Sequence, residues 1–485
     1  MNMVKSLLLG SSAALIAMGG AQAADLPLKA KAVEYVKVCS IYGAGFYYIP
    51  GTDTCIKIGG YLRADATLYG SGNYNAPAWN GAAGAKSRLA NNTIMYMRQD
   101  INLDTRTATE YGVVRTYFDA TFNWGSGGAV GGSTGVAGGS LGVYYAFVQF
   151  AGFTFGKAVS QFDTPWTGYP GNNSSFLIGG YDDVTGINQV SYTAEFGNGV
   201  SGSISLEDKS AYLESGLYNT SNITASSYAQ GLLGTNSYAG QQIPDIVGKI
   251  RVDQAWGLFQ VSAAAHQVRA SYYNIADETS GHPSDTWGYA VQGALSLKNL
   301  PTGPGDSINL TATYANGATR YVIGGVTGNS FAIYGNTSVP GAYQSIAFAS
   351  SADGVFANGT GISKTNAWGV RGAFNHNWSP YWSTSLFGSY SAVDYNGTAT
   401  ARVCATAVNF VCNPDFKIAQ IGTVTRWTPV KNLTFSGEVM YTYLDQSNSG
   451  TLNIPAIAAI AKPAAVYELK DQGVWSGNLR VQRNF

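Results

Sequence analysis

The side chains that could do chemistry in this chain are few, and they do not assemble into a catalytic set. Its three histidines, His266, His282 and His376, lie far apart. None has an evident partnership with a serine and an acid, which a hydrolase uses to activate its nucleophile. No Cys-x-x-Cys spacing occurs, so a zinc site is not indicated. The sequence predicts no enzyme, no cofactor and no metal site.

The charged residues are more informative, because the basic ones lie in phase with polar residues of alternating stretches. An acidic segment, 163–186, carries three aspartates and no cation. If the two sets faced each other across water, they would create a transverse field that aligns polar solutes. If the elements that carry them enclose water, these residues would form a constriction, with Asp163, Asp182 and Asp183 on the acidic side and Lys57, Arg63, Arg98, Arg115 and Arg480 on the basic side. The alternatives are an ordinary solvated loop and local pairing of the arginines with Asp65, Asp100, Asp104 and Asp119.

The four cysteines form two local pairs in the sequence, Cys39 with Cys55 and Cys404 with Cys412. Three pairings are possible in principle. Local pairing is the simplest because each pair flanks a turn-rich segment, and closing the first loop stabilises by about 3 kcal/mol. We therefore expect disulfides Cys39–Cys55 and Cys404–Cys412; four free thiols are the alternative.

The elements that carry the charged residues alternate with a period of two. From Ile56 to Tyr69, apolar residues such as Ile58 and Leu62 point one way, while Arg63 and Asp65 point the other. This pattern is typical of a strand with one apolar and one polar face.

The composition indicates where such strands would be stable. Only 12% of residues are charged, while the chain contains 61 glycines and 32 tyrosines and has a mean hydropathy near zero. Apolar residues scattered one at a time are typical of a transmembrane β-barrel, whose strands alternate apolar-out and polar-in. The formal net charge of zero argues against nucleic acid as a partner.

The chain reads as sixteen strands in one all-β domain. The predicted strands are 56–69, 93–105, 113–124, two within 141–162, 187–196, 200–208, 245–253, 258–269, 285–298, 307–315, 366–377, 381–393, 415–427, 433–445 and 473–485. Short turns alternate with long loops, as expected for a 16-stranded antiparallel barrel with short periplasmic turns and long outer loops. Sixteen strands leave an aqueous channel rather than a filled core.

The two ends of the chain indicate the cellular compartment and the limits of the domain. Residues 1–23 carry a basic Lys5, a short apolar stretch and Ala21-Gln22-Ala23, which predict a cleaved signal peptide. We expect 24–55 to form a segment at the periplasmic rim and 56–485 to form the barrel. The last strand ends in Phe485, which resembles the terminal signal by which outer-membrane barrels engage the assembly machinery.

Three segments resemble the alphaproteobacterial porin family: AVEYVKVCSIYGAGFYYIPGTDTCIKIGGYLRAD, AFVQFAGFTFGKAVSQFD and the terminal LRVQRNF. The match spans essentially the whole mature chain. The resemblance implies a homotrimer in the outer membrane of a Gram-negative bacterium, in contact with lipid and lipopolysaccharide. It also implies a third outer loop folded into the pore and passive diffusion of small hydrophilic solutes.

A substrate-specific channel, for a sugar or another nutrient, is the serious alternative. Such channels line a narrow path with aromatic side chains, and the third outer loop contains Trp166, Tyr169 and Tyr181. Solute preference and ion selectivity are left open by the sequence.

Overall fold

The computed structural model describes residues 37–69, 84, 86–126, 138–173, 177–182, 184–210, 212–229, 231–324, 330–407, 409–458 and 462–485. The predicted signal peptide and Asp183 lie outside these ranges. Within them, no helix is long and apolar enough to cross a membrane.

Sixteen antiparallel strands form a closed barrel, which confirms the predicted fold class and strand count. Each strand pairs with the next along the chain, and the first pairs with the last. The strands are β1 Cys55–Leu68, β2 Thr93–Thr109, β3 Gly112–Gly125, β4 Ser140–Phe150, β5 Phe153–Ala158, β6 Ile187–Gly197, β7 Val200–Glu207, β8 Asp245–Gln254, β9 Gly257–Val268, β10 Thr286–Lys298, β11 Ser307–Asn316, β12 Ser363–Asn377, β13 Trp382–Tyr395, β14 Phe416–Val430, β15 Leu433–Gln446 and β16 Gln472–Asn484.

The alternation in β1 separates a lipid-facing surface from a lumen-facing one. Ile58 and Leu62 are 50% and 55% exposed on the outside, while Arg63 and Asp65 are 8% and 3% exposed on the inside. In a soluble protein such an apolar face would be covered by a core, whereas here it is covered by hydrocarbon. The tight connection between β4 and β5 uses Ala151 and Gly152, both with positive φ, as a two-residue hairpin turn requires.

The N-terminal segment and the outer loops contain regular structure that the sequence did not predict. The helices are α1 Ala225–Ala229 and α2 Gly397–Cys404, with 3-10 turns at Ser40–Tyr42, Thr220–Asn222, Glu278–Ser280 and Thr319–Tyr321. The further strands are Tyr47–Tyr48, Gly216–Asn219, Thr235–Asn236, Ser330–Gly335, Gln344–Ser350, Ala352–Phe356, Phe410–Val411, Ser449–Ile454 and Ala465–Leu469. Five of these, from three different outer loops, form a separate small sheet. Several of these strands, such as Gln344–Ser350 and Ala352–Phe356, lack alternation because they are buried on both faces.

A large apolar cluster fills the outer part of the lumen on one side. Phe331 and Tyr334 from the outer loops are fully buried, as is Tyr321, which packs against Phe162 with ring centroids 4.5 Å apart. On the opposite side, Arg115 and Tyr117 of β3 and Tyr145 and Phe147 of β4 are only partly buried. A water-accessible part of the lumen therefore lies beside β3 and β4.

Both predicted disulfides are present, Cys39–Cys55 and Cys404–Cys412. The first joins the hairpin segment 38–48 to the start of β1, where Tyr47 also pairs with Ile56. The second joins the end of α2 to the connection that leads into β14.

We expect the Cys404→Ser/Cys412→Ser variant to keep the wild-type single-channel conductance and heat-resistant folding. The reason is that this disulfide lies in an outer loop, while the adjacent β13 and β14 are held by their own ladder. Bilayer recordings measure the conductance, and gel mobility of heated and unheated samples measures the folding. Non-reducing peptide mapping of the wild type should recover both local pairs. A crossed pairing, or loss of the folded band in the variant, would contradict the assignment.

Candidate pore constriction

The third outer loop, residues 159–186 between β5 and β6 and called L3 below, folds into the barrel as expected. It crosses the lumen to the opposite wall. Ile178 N donates to Gln420 Oε1 at 2.9 Å, Asn173 N donates to Glu438 Oε2 at 2.5 Å, and Arg480 Nη1 donates to Asn173 O at 2.7 Å. L3 is thus attached to β14, β15 and β16 and narrows the space between them and the early strands.

Arg371 of β12 holds the middle of L3 by its backbone. Its side chain is fully buried, and its Nη1 donates to Leu177 O at 3.0 Å and to Gly180 O at 3.3 Å. Its Nη2 donates to Thr167 O at 3.0 Å and also to Tyr181 O. One guanidinium therefore satisfies four carbonyls of a loop that makes few backbone hydrogen bonds of its own.

The two described acids of L3 lie behind the loop rather than on its water-facing side. Asp163 and Asp182 are 3% and 1% exposed. Asp163 Oδ1 lies 3.9 Å from Arg371 Nη2, and Asp182 Oδ1 accepts from Val184 N at 3.1 Å. Burial raises the pKa of Asp182 to about 6, although the positive charge of Arg371 opposes the shift. These carboxylates contact the elements that hold L3, and they do not meet solutes directly.

Three of the predicted arginines converge where the barrel closes. Arg63 of β1 lies directly opposite Arg98 of β2, and Asp65 lies opposite Arg480 of β16. Asp65 is shared, because Arg63 Nε lies 3.1 Å from its Oδ2 and Arg480 Nε lies 2.6 Å from its Oδ1. We call Arg63, Arg98 and Arg480 the arginine wall.

Neutral groups orient Arg98 within this wall. Its Nε donates to Asn123 Oδ1 at 2.6 Å and its Nη2 donates to Tyr96 OH at 3.0 Å. Its guanidinium also lies over the Tyr144 ring, 5.1 Å from the centroid. Hydrogen bonds and cation–π contacts of this kind fix the side chain without cancelling its charge.

Tyr169 of L3 is half-buried, and its phenol lies within electrostatic range of Asp182 and of Arg63, Arg98 and Arg480. The candidate constriction therefore consists of the L3 segment around Tyr169 on one side and the arginine wall on the other.

The remaining predicted cations lie nearer the periplasmic ends of the strands. Arg115 pairs with Arg106 across β2 and β3, and both bind Asp104, at 3.0 and 2.9 Å. Arg106 is eight residues along β2 from Arg98, roughly 26 Å at strand spacing. Lys57 is exposed near the start of β1. The structure thus brings together Arg63, Arg98 and Arg480. Arg115 and Lys57 lie closer to the periplasmic end of the lumen.

Sequence reasoning missed Arg371 and Arg426, which both hold L3. Arg426 Nη2 donates to Gly171 O at 2.7 Å and its Nε donates to Asn173 Oδ1 at 3.1 Å. Both arginines occupy lumen-facing positions of predicted strands. Their position in the alternation was the sequence signal that could have identified them.

The histidines serve hydrogen-bond networks. His266 is fully buried, with Nδ1 2.9 Å from both oxygens of Asp245 and Nε2 3.3 Å from Tyr238 OH. Tyr238 OH also donates to Asp353 Oδ2 at 2.7 Å, which ties two outer loops to β9. Among the described residues, no group of three or more histidine, cysteine or acidic side chains could hold a metal ion.

A closed sixteen-stranded barrel with a lipid-facing exterior, an inward-folded loop and a charged lumen defines a channel-forming outer-membrane protein. Comparisons with known proteins agree. A family model described as "Porin subfamily" matches residues 25–478. Porin Omp2b of Brucella neotomae is 32% identical over 346 residues, which cover 68% of this chain and 79% of that protein. Porin Omp2b of Brucella suis is 34% identical over 314 residues, covering 61% and 75%.

A solved structure supports the same fold. The outer membrane channel DcaP of Acinetobacter baumannii superposes with a TM-score of 0.60 and 16% identity, covering 90% of this chain and 99% of that chain.

The chain belongs to the porin family, as the resemblance to alphaproteobacterial porins predicted, and forms an outer-membrane channel.

We expect the Arg371→Met variant to release L3 and to raise both the single-channel conductance and the current noise. Each hydrogen bond from a charged donor contributes roughly 1.5–3 kcal/mol, and this variant loses four. Lys364→Met is the matched control, because Lys364 lies on the same strand and, among the described residues, its ammonium donates only to Trp287 O. Equal conductance and noise in both variants would show that Arg371 does not position L3.

Proposed function

We propose that this porin is a general diffusion channel for small hydrophilic solutes, and that the arginine wall and L3 form its selective constriction. The observation that carries the proposal is the position of L3, which crosses the lumen and is bonded to Arg480 of the wall through Asn173 O. Solutes that pass L3 would be selected by the size of the remaining opening and by the field of the wall charges.

The arginine wall would act on ions through its field, because Arg63, Arg98 and Arg480 are only 8%, 3% and 8% exposed. The acids of L3 would act through the position of the loop and through their own field. Asp163 and Asp182 are held beside Arg371 in a buried layer. Asp100 and Asp119, on the lumen faces of β2 and β3, lie near Arg98 and oppose part of its charge. Removal of the arginines would therefore leave a negative surplus at the constriction.

The alternative of a substrate-specific channel has less support. A sugar-binding aromatic path in L3 would need its rings open to the solute. Tyr181 is fully buried and packs against Phe162 and Tyr321, with centroids 6.1 and 5.1 Å away. Tyr181 therefore belongs to the apolar cluster that fills the outer part of the lumen on one side, and it does not line a solute path.

We further propose a homotrimer, exported with a cleaved signal peptide at residues 1–23 and surrounded by outer-membrane lipid and lipopolysaccharide. Small residues on the outside of the closure strands, Ala64 and Ala66 of β1 and Gly437 of β15, line a shallow apolar groove of about 680 Å³. Such residues allow a neighbouring barrel to approach closely. Phe485 is 60% exposed at the chain end, where the assembly machinery could bind it. Nothing in this function requires catalysis or a cofactor.

We expect the Arg63→Gln/Arg98→Gln variant to shift the reversal potential under a salt gradient toward cation selectivity. At 4–6 Å and an effective dielectric near 20, each removed charge is worth roughly 3–4 kcal/mol before screening. Planar-bilayer recordings measure the shift, and gel mobility confirms folding. Lys298→Gln/Lys431→Gln removes the same charge at the periplasmic turns and should shift the potential much less. Equal shifts would place the filter elsewhere, and a wild type without conductance steps would refute the channel itself.

We expect Ala64→Trp to convert the trimer to monomers in mild detergent, because a large ring would block close approach at this face. Size-exclusion chromatography with light scattering measures the mass. Ala312→Trp places the same side chain on the lipid-facing side of β11, away from the closure strands, and should leave the trimer intact. Dissociation in both variants, or in neither, would contradict the proposed interface.

A further inference from the structure

A second site lies in the lumen on the periplasmic side of L3. A cavity of about 400 Å³ opens between the early strands, β8 and the beginning of L3. Its volume falls in the range of small-molecule pockets. The side chains that matter for the argument are Arg115, Tyr117, Phe147, Lys249 and Arg251.

Lys249 supplies a charge that no neighbour neutralises by contact. Within the part of the chain that the structure describes, its ammonium makes no hydrogen bond and has no carboxylate within 4.0 Å, although the side chain is largely buried. The other cations have partners: Arg251 Nη2 donates to Asp253 Oδ1 at 3.0 Å, and Arg115 binds Asp104. Lys249 therefore has donors to offer an anion.

The acids that face Lys249 are satisfied by other groups. Asp163 lines the cavity, but its Oδ1 accepts from Thr164 N at 2.7 Å and its side chain is fully buried beside Arg371. Glu207 is fully buried and accepts from Ser160 Oγ at 2.6 Å and Gln161 N at 2.8 Å. Their field lowers the local positive potential, while their oxygens remain engaged.

The opposite side of the cavity is aromatic. Tyr117 and Phe147 stack with centroids 5.5 Å apart and planes inclined by 28°. Arg115 lies over both rings, 5.1 and 5.5 Å from their centroids. Tyr145 adds a third ring, 6.3 Å from Tyr117. A planar apolar group entering here would contact ring surface, and a carboxylate on it would reach the cations.

From this combination we infer a binding subsite for small aromatic carboxylates below the constriction. Lys249, supported by Arg251 and Arg115, binds the carboxylate, and the Tyr117–Phe147 pair contacts the ring. The inference rests on the proposed diffusion function and adds a ligand class to it. An aromatic acid that has passed the constriction would be held briefly before it enters the periplasm.

The test is a titration of single channels in potassium chloride with benzoate or acetate added on the periplasmic side at constant ionic strength. Benzoate should interrupt the current at a concentration roughly three- to tenfold lower than acetate, because aromatic contacts contribute about 0.5–1.5 kcal/mol. Lys249→Met should raise the half-blocking concentration of benzoate about tenfold or more, the loss expected for a hydrogen bond from a charged donor. Lys249→Arg should restore block, and Tyr117→Leu should remove the preference for benzoate while acetate block stays the same.

Lys298→Met is the control, since it removes one lysine at the periplasmic turn outside the cavity. Equal block by benzoate and acetate in the wild type, or equal effects of Lys249→Met and Lys298→Met, would overturn the subsite. Those outcomes leave chloride conductance and the charge filter intact, so they differ from a failure of the proposed function, in which no channel opens in potassium chloride alone.

Discussion

Closure of the barrel between β1 and β16 is the constraint on which the rest of this structure depends. Hydrocarbon offers no partner to a free N–H or C=O group, so a strand edge left open in the membrane would cost several kcal/mol per group. The pairing of Tyr61–Leu68 with residues at the other end of the chain removes that edge. It also builds the candidate constriction, because Arg480 and Asp65 are 415 positions apart in sequence and meet only when the barrel is closed. The same event therefore completes the fold and the arginine wall.

The backbone of L3 also needs hydrogen-bond partners, and side chains of the barrel wall supply them. A loop inside the lumen cannot pair in a ladder along its length, so its carbonyls need donors from the wall. Arg371 and Arg426 supply them, and Glu438 and Gln420 accept from its amides. The wall positions that hold L3 are polar for that reason. Much of the lumen polarity on β12–β15 thus supports the loop.

The strands were predictable from the sequence because lipid and water act on opposite faces of each strand and impose a period of two. The outer loops have no such boundary, and Phe331–Tyr334 and Ile346–Ala349 pack in a core that is apolar on all sides. For that reason the sequence patterns of these segments predicted loops rather than strands. The inward fold of L3 came from family resemblance alone. Its contacts were hidden because most use backbone atoms, which carry no residue signature, and the burial of Asp163 and Asp182 depends on these contacts.

The proposed charge filter, the arginine wall, lies where the barrel can hold like charges close together. Like charges directly opposite on paired strands are unfavourable, and Arg63 and Arg98 form such a pair. A carboxylate for each would remove that cost but would also remove the field. Instead Asp65 serves two guanidiniums, and Arg98 is also oriented by Asn123 and tyrosines, which are uncharged. The long ladders of β1 with β2 and β16 hold the pair in register. The positive potential that makes Arg63 and Arg98 repel each other would also act on a passing ion.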